Sequence, residues 1–188
     1  MKPIKKASEM TVKELAAYID QSVLKPEFTQ ADIKRYIREA IDFGCKTVCI
    51  NPSSLDIAHG MLKEKEIKIC IVCDFPFGTG TTEARVNEAE TYCKSGDIYE
   101  LDLVANYGMI RSGLYDEVEK DIKAVTEICH KYGTAVKVIL ETDALTEEQI
   151  VKGTEIVINA GADFVKTSTG FYTGGEVKGA VPELIKLM

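Results

Sequence analysis

Lys166 lies at the end of an apolar run with the sequence Ala162-Asp-Phe-Val-Lys-Thr-Ser-Thr-Gly170. If this run is a β-strand, Phe164, Lys166 and Ser168 share one face, because successive side chains alternate. Burial disfavours the charged ammonium, and a neutral amine is a nucleophile toward a carbonyl carbon. The simpler interpretation is a surface lysine that lays its stem along apolar residues. The run therefore predicts either a nucleophilic amine or a solvated lysine at this position.

Two more charged residues fall inside apolar runs. Lys137 lies in the run of residues 135–141 and Asp102 in the run of residues 98–106. If both lysines face one interior, each charge disfavours the other, so at least one moves toward neutrality. An inward Asp102 balances the lysines and relays protons through water, with a structural ion pair as the alternative. The three side chains together favour Schiff-base chemistry, for which we expect neither a metal nor a cofactor.

Six cysteines offer a different chemistry, which the pattern does not favour: Cys45, Cys49, Cys70, Cys73, Cys93 and Cys129. A chain of this length does not need disulfide bonds for a core, and Cys70 and Cys73 point to opposite faces if their run is a strand. We therefore expect core thiols, with Cys49 as a small wall residue. His59 and His130 fall in predicted helices without ligand spacing, so no zinc site is expected.

The elements that must position these side chains alternate along the chain. Six apolar, β-branched runs predict strands, namely residues 17–24, 47–51, 67–75, 98–106, 135–141 and 163–168. Amphipathic stretches between them predict helices, with Thr29 and Thr146 as N-caps. Gly44, Gly96, Gly133 and Gly161 predict helix ends. Strand and helix alternation at this spacing is typical of a parallel sheet.

Two α/β architectures fit this alternation, a doubly wound sheet and a (β/α)₈ barrel. The dinucleotide-binding pattern fails after Gly78-Thr-Gly80, because position 83 is Glu. Polar residues follow the strands, as at the catalytic end of a barrel: Asp20, Asn51, Asp74, Asn106, Glu141 and residues 167–169. We therefore expect a TIM-type barrel in a single domain of residues 1–188. About six βα units are present, so this barrel is C-terminally incomplete: a fragment, a barrel completed by another chain, or an open variant.

Composition narrows the class of protein. The chain has 188 residues, 45% of them hydrophobic and 28% charged, with 23 basic and 30 acidic residues for a net charge of −7. This profile is typical of one globular domain and disfavours binding to nucleic acid. Apolar runs are far shorter than the roughly 18–20 residues of a membrane span. The basic residues 1–6 precede no signal-type apolar run, so we expect a cytoplasmic protein without membrane partners.

Six motifs give the chain a resemblance to the deoxyribose-phosphate aldolases, class I aldolases of the (β/α)₈ type. They are Ile19-Asp-Gln-Ser-Val-Leu-Lys-Pro26, Val48-Cys-Ile-Asn-Pro52, Asp74-Phe-Pro-Phe-Gly78, Glu100-Leu-Asp-Leu-Val104, Lys137-Val-Ile-Leu-Glu-Thr142 and Ala160-Gly-Ala-Asp-Phe-Val-Lys-Thr-Ser-Thr-Gly-Phe171. The resemblance implies that Lys166 forms a Schiff base with acetaldehyde and that Asp102 transfers protons. It places Cys49, Asp20 and Ser22 near the substrate, and we add Lys137 and Thr169 as supporting residues.

The departures from the family pattern lie at both ends. Gln21-Ser22 stands where the family usually has His-Thr. The family's Lys-x-Ser-Gly-Gly and Gly-x-Ser-Ser stretches, which bring a second lysine and hold the substrate phosphate, have no counterpart in these 188 residues. We therefore expect weak or no activity from this chain alone.

The resemblance implies reversible cleavage of 2-deoxy-D-ribose 5-phosphate to glyceraldehyde 3-phosphate and acetaldehyde, as in deoxyribonucleotide catabolism. The expected partners are thus a small sugar phosphate and acetaldehyde, with a homo-oligomer left open. The alternatives are a non-catalytic chain, half of a split barrel whose partner supplies strands seven and eight, and another Schiff-base aldolase with a different sugar phosphate.

Overall fold

The computed structural model describes residues 5–188. Its strands are β1 (Asp20–Val23), β2 (Thr47–Ile50), β3 (Lys68–Cys73), β4 (Ile98–Val104), β5 (Ala135–Ile139) and β6 (Phe164–Lys166). Its α-helices are α1 (Val12–Ala16), α2 (Gln30–Phe43), α3 (Leu55–Leu62), α4 (Thr82–Lys94), α5 (Tyr107–Arg111), α6 (Tyr115–Lys131), α7 (Glu147–Asn159) and α8 (Pro182–Ile185), with 3₁₀ turns at Ala7–Glu9, Pro52–Ser54 and Thr142–Ala144. The chain forms two compact units, Met1–Ile71 and Val72–Met188.

The first unit is built on parallel strands in the order β1, β2 and the part of β3 up to Ile71. Asp20 is the register partner of Thr47, so β1 and β2 begin level with each other. Helix α2 connects them and starts at a capping box in which Thr29 and Asp32 satisfy each other's backbone N–H groups. It ends at Gly44, whose φ of 73° is the left-handed conformation that closes a helix. Both ends of this helix confirm the predictions.

The second unit carries parallel strands in the order β4, β5, β6. Asp102 is the register partner of Lys137, and Ile139 is the partner of Lys166. Because side chains two apart along a strand share a face, Asp102, Lys137 and Lys166 all project from the same face of this sheet. The three charged residues singled out in the sequence therefore share one surface.

Helices α4, α6 and α7 flank this second sheet. Helix α6 buries Val118, Ile122 and Val125 along one stripe, at the spacing of an amphipathic helix. Helix α7 starts at the predicted capping box of Thr146 and Gln149. These helices pack against the sheet and bury the apolar side chains of the strands that face them.

The strands are shorter than their apolar runs predict. The predicted strand of residues 67–75 ends at Cys73, because Asp74 has a φ of 48°. The predicted strand of residues 135–141 ends at Ile139, and Glu141 has a φ of 56°. A positive φ leaves the extended region, so these acidic residues turn the chain at the carboxyl ends of the strands.

The predictions for the cysteines and the histidines are confirmed. All six cysteines are buried free thiols, and His59 and His130 lie within α3 and α6. Among the described residues, the helices are all too short or too polar to cross a bilayer. Of the basic N-terminal segment, residues 1–4 lie outside the described residues. The single domain over residues 1–188 stays a prediction.

Candidate active site

Asp102 lies at the centre of a charged cluster on the face shared by β4, β5 and β6. Its side chain is fully buried, and its two carboxylate oxygens bind different lysines. Oδ1 lies 2.9 Å from Nζ of Lys137, and Oδ2 lies 2.5 Å from Nζ of Lys166. One carboxylate therefore connects the two lysines that the sequence pattern singled out.

Lys166 is the last residue of β6 and combines an ion pair with partial exposure. Its side chain is 31% exposed, whereas the carboxylate of Asp102 is inaccessible. The amine is therefore neither the fully buried nor the freely solvated lysine of the two sequence interpretations. An amine paired on one side with an acid and open on the other can meet a small substrate from solvent.

Lys137 is buried between two acids. Its Nζ lies 2.5 Å from Oε2 of Glu100 as well as 2.9 Å from Asp102, and it is 5.9 Å from the ring centre of Phe164. Glu100 is 6% exposed and was not among the predicted site residues. The signal was present, since Glu100 lies two residues before Asp102 on the same strand and face.

The electrostatics of the cluster centre on Asp102. Burial on its own would raise the pKa of this carboxyl, but the positive charges of Lys166 and Lys137 outweigh burial and hold the pKa below its usual value. Asp102 is therefore ionised near neutral pH. With Glu100 beside Lys137, the cluster pairs two lysines with two acidic side chains. An amine must be neutral to attack a carbonyl carbon, and Asp102 is within reach to relay the proton that Lys166 would give up.

Thr169 belongs to the segment that follows Lys166 and is held by Glu141. The backbone N–H of Thr169 lies 3.3 Å from both carboxylate oxygens of Glu141, and its hydroxyl donates to Oε2. Burial raises the pKa of Glu141, the hydrogen bonds from Thr169 oppose this rise, and Asp143 adds to it. The backbone N–H of Thr142 also donates to the Thr167 carbonyl at 2.9 Å. Glu141, two residues after the end of β5, thus fixes the segment that follows Lys166. The sequence pattern does not predict this role.

The remaining predicted site residues lie in the first unit, on strands β1 and β2. Asp20 accepts a hydrogen bond from the hydroxyl of Thr47 at 2.8 Å. Ser22 is the register partner of Cys49, two residues further along both strands. Asp20, Ser22 and Cys49 therefore share one face of this strand pair. Ser22 is exposed, whereas Cys49 is fully buried, as expected for a wall residue.

Comparison with known proteins identifies what this arrangement is similar to. The model of the DeoC/LacD aldolase family matches residues 15–188. Deoxyribose-phosphate aldolases from Clostridium perfringens and Thermococcus kodakarensis are 46% and 45% identical to the chain over 180 and 181 residues. In both cases the alignment covers 95% of this chain, and it covers 77% and 79% of the relatives.

Solved structures give the same result for the fold. An aldolase designated QR15 matches with a TM-score of 0.82 and 36% identity, covering 93% of this chain and 75% of its own. A tetrameric deoxyribose phosphate aldolase from Aeropyrum pernix matches with a TM-score of 0.79 and 32% identity, covering 88% of this chain and 68% of its own. The predicted α/β fold, a TIM-type barrel with about six βα units present, is confirmed.

Proposed function

Because this chain belongs to the DeoC/LacD family of class I aldolases, which are lyases, we propose that it cleaves 2-deoxy-D-ribose 5-phosphate reversibly to glyceraldehyde 3-phosphate and acetaldehyde. The relatives that carry the name deoxyribose-phosphate aldolase support this substrate. The observation that carries the proposal within the chain is the contact of 2.5 Å between Nζ of Lys166 and Oδ2 of Asp102.

We assign the nucleophile to Lys166. Its ammonium loses a proton that Asp102 relays to water, and the neutral amine adds to the aldehyde carbon C1 of the open-chain sugar. Loss of the former carbonyl oxygen as water leaves an iminium between Nζ and C1. The partial exposure of Lys166 admits the aldehyde, while the buried Asp102 keeps the proton acceptor within 2.5 Å.

Bond cleavage then uses the iminium as an electron sink. A base removes the proton of the C3 hydroxyl, the C2–C3 bond breaks, and its electron pair moves to C2 to form the enamine. Glyceraldehyde 3-phosphate leaves with the new C3 carbonyl. Protonation at C2 and addition of water to the iminium release acetaldehyde and restore the amine. We assign the proton transfers to Asp102 because its carboxylate lies beside Nζ of Lys166. A positioned acid or base of this kind contributes about 10²–10⁴-fold to the rate.

Lys137 and Glu100 support this cycle without touching the substrate carbons. Nζ of Lys137 lies 2.9 Å from Oδ1 of Asp102, so Asp102 keeps a second lysine partner when Lys166 becomes a neutral amine. Glu100 in turn balances Lys137 at 2.5 Å. We assign a supporting role near the substrate to Thr169. The same role is assigned to Asp20, Ser22 and Cys49 on strands β1 and β2.

Assembly and location complete the proposal. We propose a homo-oligomer, because the Aeropyrum pernix relative is described as tetrameric. We propose the cytoplasm as the compartment, since the six cysteines are free thiols and reducing compartments keep thiols in this state.

The test combines turnover with covalent trapping. The full 188-residue chain is incubated with 2-deoxy-D-ribose 5-phosphate, and acetaldehyde is measured through its reduction by alcohol dehydrogenase and NADH. In parallel, the chain is treated with acetaldehyde and sodium borohydride, and peptide mass spectrometry locates the ethyl group. Because the family's phosphate-holding stretches have no counterpart in these 188 residues, we expect at most weak acetaldehyde release, together with one ethyl group, on Lys166. An ethyl group distributed over surface lysines, at the level of the heat-denatured chain, would contradict the proposal.

A further inference from the structure

Arg85 on α4 joins three elements of the second unit, although it lies outside the charged cluster of Lys166. Its side chain is 1% exposed. Nε and Nη2 lie 2.8 Å and 2.7 Å from Oδ2 of Asp74, which follows β3. Nη1 forms an ion pair with Asp121 on α6, which also accepts the hydroxyl of Thr82 at 2.7 Å. One guanidinium thus connects the end of β3 to two helices.

Asp74 is the first residue of a loop, residues 74–80, and closes it. Its φ of 48° is a strained conformation for a residue other than glycine. Its Oδ2 accepts the backbone N–H of Gly80 at 2.7 Å, and its own N–H donates to the carboxylate of Glu88. The oxygen that binds Arg85 therefore also binds the far end of the loop, so the position of Arg85 sets the position of both ends.

The same loop reaches the segment that follows Lys166. The ring of Phe75 lies edge-on to the ring of Phe171, five residues after Lys166, with 5.4 Å between ring centres. Pro76 and Phe77 line a cleft of about 220 Å³ together with Thr169 and Phe171, which follow Lys166. The cleft is below the roughly 300–1,000 Å³ of drug-sized sites, as suits a small aldehyde.

We propose that Arg85 is a positioning residue for the aldehyde acceptor: through Asp74 and Asp121 it holds the 74–80 loop as one wall of the cleft beside Thr169. The proposal rests on the proposed aldolase function. Acetaldehyde is bound through Lys166 itself, whereas the three-carbon acceptor extends beyond the amine. A displaced loop therefore weakens binding of the acceptor and leaves Schiff-base formation unchanged.

The chemistry of the cluster supports positioning over stability alone. A buried ion-pair cluster contributes little more than apolar residues of the same volume would, because desolvation offsets the attraction. A guanidinium instead fixes direction, since its planar group presents Nε to Asp74 and Nη1 to Asp121 from fixed positions. Lysine keeps the charge of Arg85 and loses this planar group, so Arg85→Lys separates geometry from charge.

The test uses the full chain with Arg85→Lys, Asp121→Asn and the exposed control Arg38→Lys. We expect the Michaelis constant for 2-deoxy-D-ribose 5-phosphate to rise about tenfold in the first two variants, as a small displacement in a site can weaken reactivity by up to roughly 10²-fold. The rate of reductive ethylation of Lys166 by acetaldehyde and borohydride should stay within about twofold of the wild-type rate. The control variant should match the wild type in both the Michaelis constant and this ethylation rate. Amide hydrogen exchange in residues 74–80 and 169–173 should increase in the two variants, with that of α7 unchanged.

Each outcome decides the question. An unchanged Michaelis constant with unchanged exchange overturns the proposal, and so does an equal loss of trapping, which would indicate a general structural role. If both variants fail to fold, the cluster is a folding determinant and the proposal is also overturned. A wild-type chain that forms no ethyl adduct instead refutes the aldolase function, and exchange in the 74–80 loop then reports on the positioning contact by itself.

Discussion

The carboxylate of Asp102 and the amine of Lys166 are 64 residues apart in the chain and 2.5 Å apart in space. The other oxygen of the same carboxylate holds Lys137 at 2.9 Å. The two lysines hold the pKa of Asp102 below its usual value, so this carboxyl stays ionised between them near neutral pH.

Lys166→Arg keeps the positive charge beside Asp102 and removes the nucleophilic amine. We expect borohydride trapping with acetaldehyde to lose its single ethylated site and turnover to fall to background, because a guanidinium stays charged and forms no Schiff base. The free energy of unfolding should change by only about 1 kcal/mol. Peptide mass spectrometry and urea denaturation measure the two effects. Lys152→Arg, in an exposed ion pair with Glu155, is the matched control and should trap like the wild type.

Asp102→Asn keeps the size of the side chain and removes its charge. We expect the exchange of acetaldehyde methyl protons for deuterium, which reports enamine formation, to slow by about 10²–10⁴-fold, because the positioned base is lost. Nuclear magnetic resonance of acetaldehyde in deuterated buffer measures the rate. Trapped ethylation of Lys166 should persist in prolonged incubations. Exchange at the wild-type rate would show that Asp102 carries no proton in the cycle.

Glu100 and Lys137 should be strongly coupled in the free energy of unfolding. A double-mutant cycle with Glu100→Gln and Lys137→Met should give a coupling of about 1.5–3 kcal/mol, because hydrogen bonds between buried charges exceed neutral ones. Urea denaturation of the four proteins measures it. The exposed pair of Lys152 and Glu155 serves as the control cycle, with an expected coupling near 0.5 kcal/mol. Equal couplings would mean that burial adds nothing to the first pair.

Glu141→Gln should change how stability depends on pH. The pKa of Glu141 is raised in the folded chain, so the folded state binds this proton more tightly than the unfolded state does. Ionisation therefore lowers stability as pH rises above the unfolded pKa of about 4.3. Glutamine carries no such proton, and the variant should gain stability relative to wild type from about pH 4 toward neutrality. Denaturation at a series of pH values tests this, with the exposed Glu155→Gln as control. A constant difference across the series would contradict the prediction.

Gly78→Ala should be more destabilising than Gly113→Ala. Both glycines have positive φ, of 65° and 75°, so alanine is strained at either position by about 1–2 kcal/mol. A Cβ at Gly78 would also meet the backbone oxygen of Ala105 at 2.6 Å, whereas one at Gly113 meets nothing within 4 Å. The clash should add about 1–3 kcal/mol to the loss in free energy of unfolding. Equal losses in thermal or urea denaturation would show that the 74–80 loop moves away from β4 at little cost.

Much of the secondary structure could be predicted from residue patterns, because its causes are local. The caps at Thr29 and Thr146 and the closing Gly44 depend on side chains within a few residues. The charges of Lys166 and Asp102 stood out because each interrupts an apolar run whose alternation is visible in the sequence. The ends of the strands are less predictable, since Asp74 and Glu141 take positive φ, a conformation that residues other than glycine adopt rarely.

The sequence by itself thus determined the elements, the apolar faces and the reactive residue types. Only the tertiary structure decided which charges meet: the register that sets Asp102 beside Lys137 and Ile139 beside Lys166 allows one carboxylate to hold both amines. Arg85 is a second example. It lies in a polar helix, where the sequence pattern would favour an exposed arginine, but the structure buries it between Asp74 and Asp121. Pairings across tens of residues depend on strand order and helix packing, which no local pattern encodes.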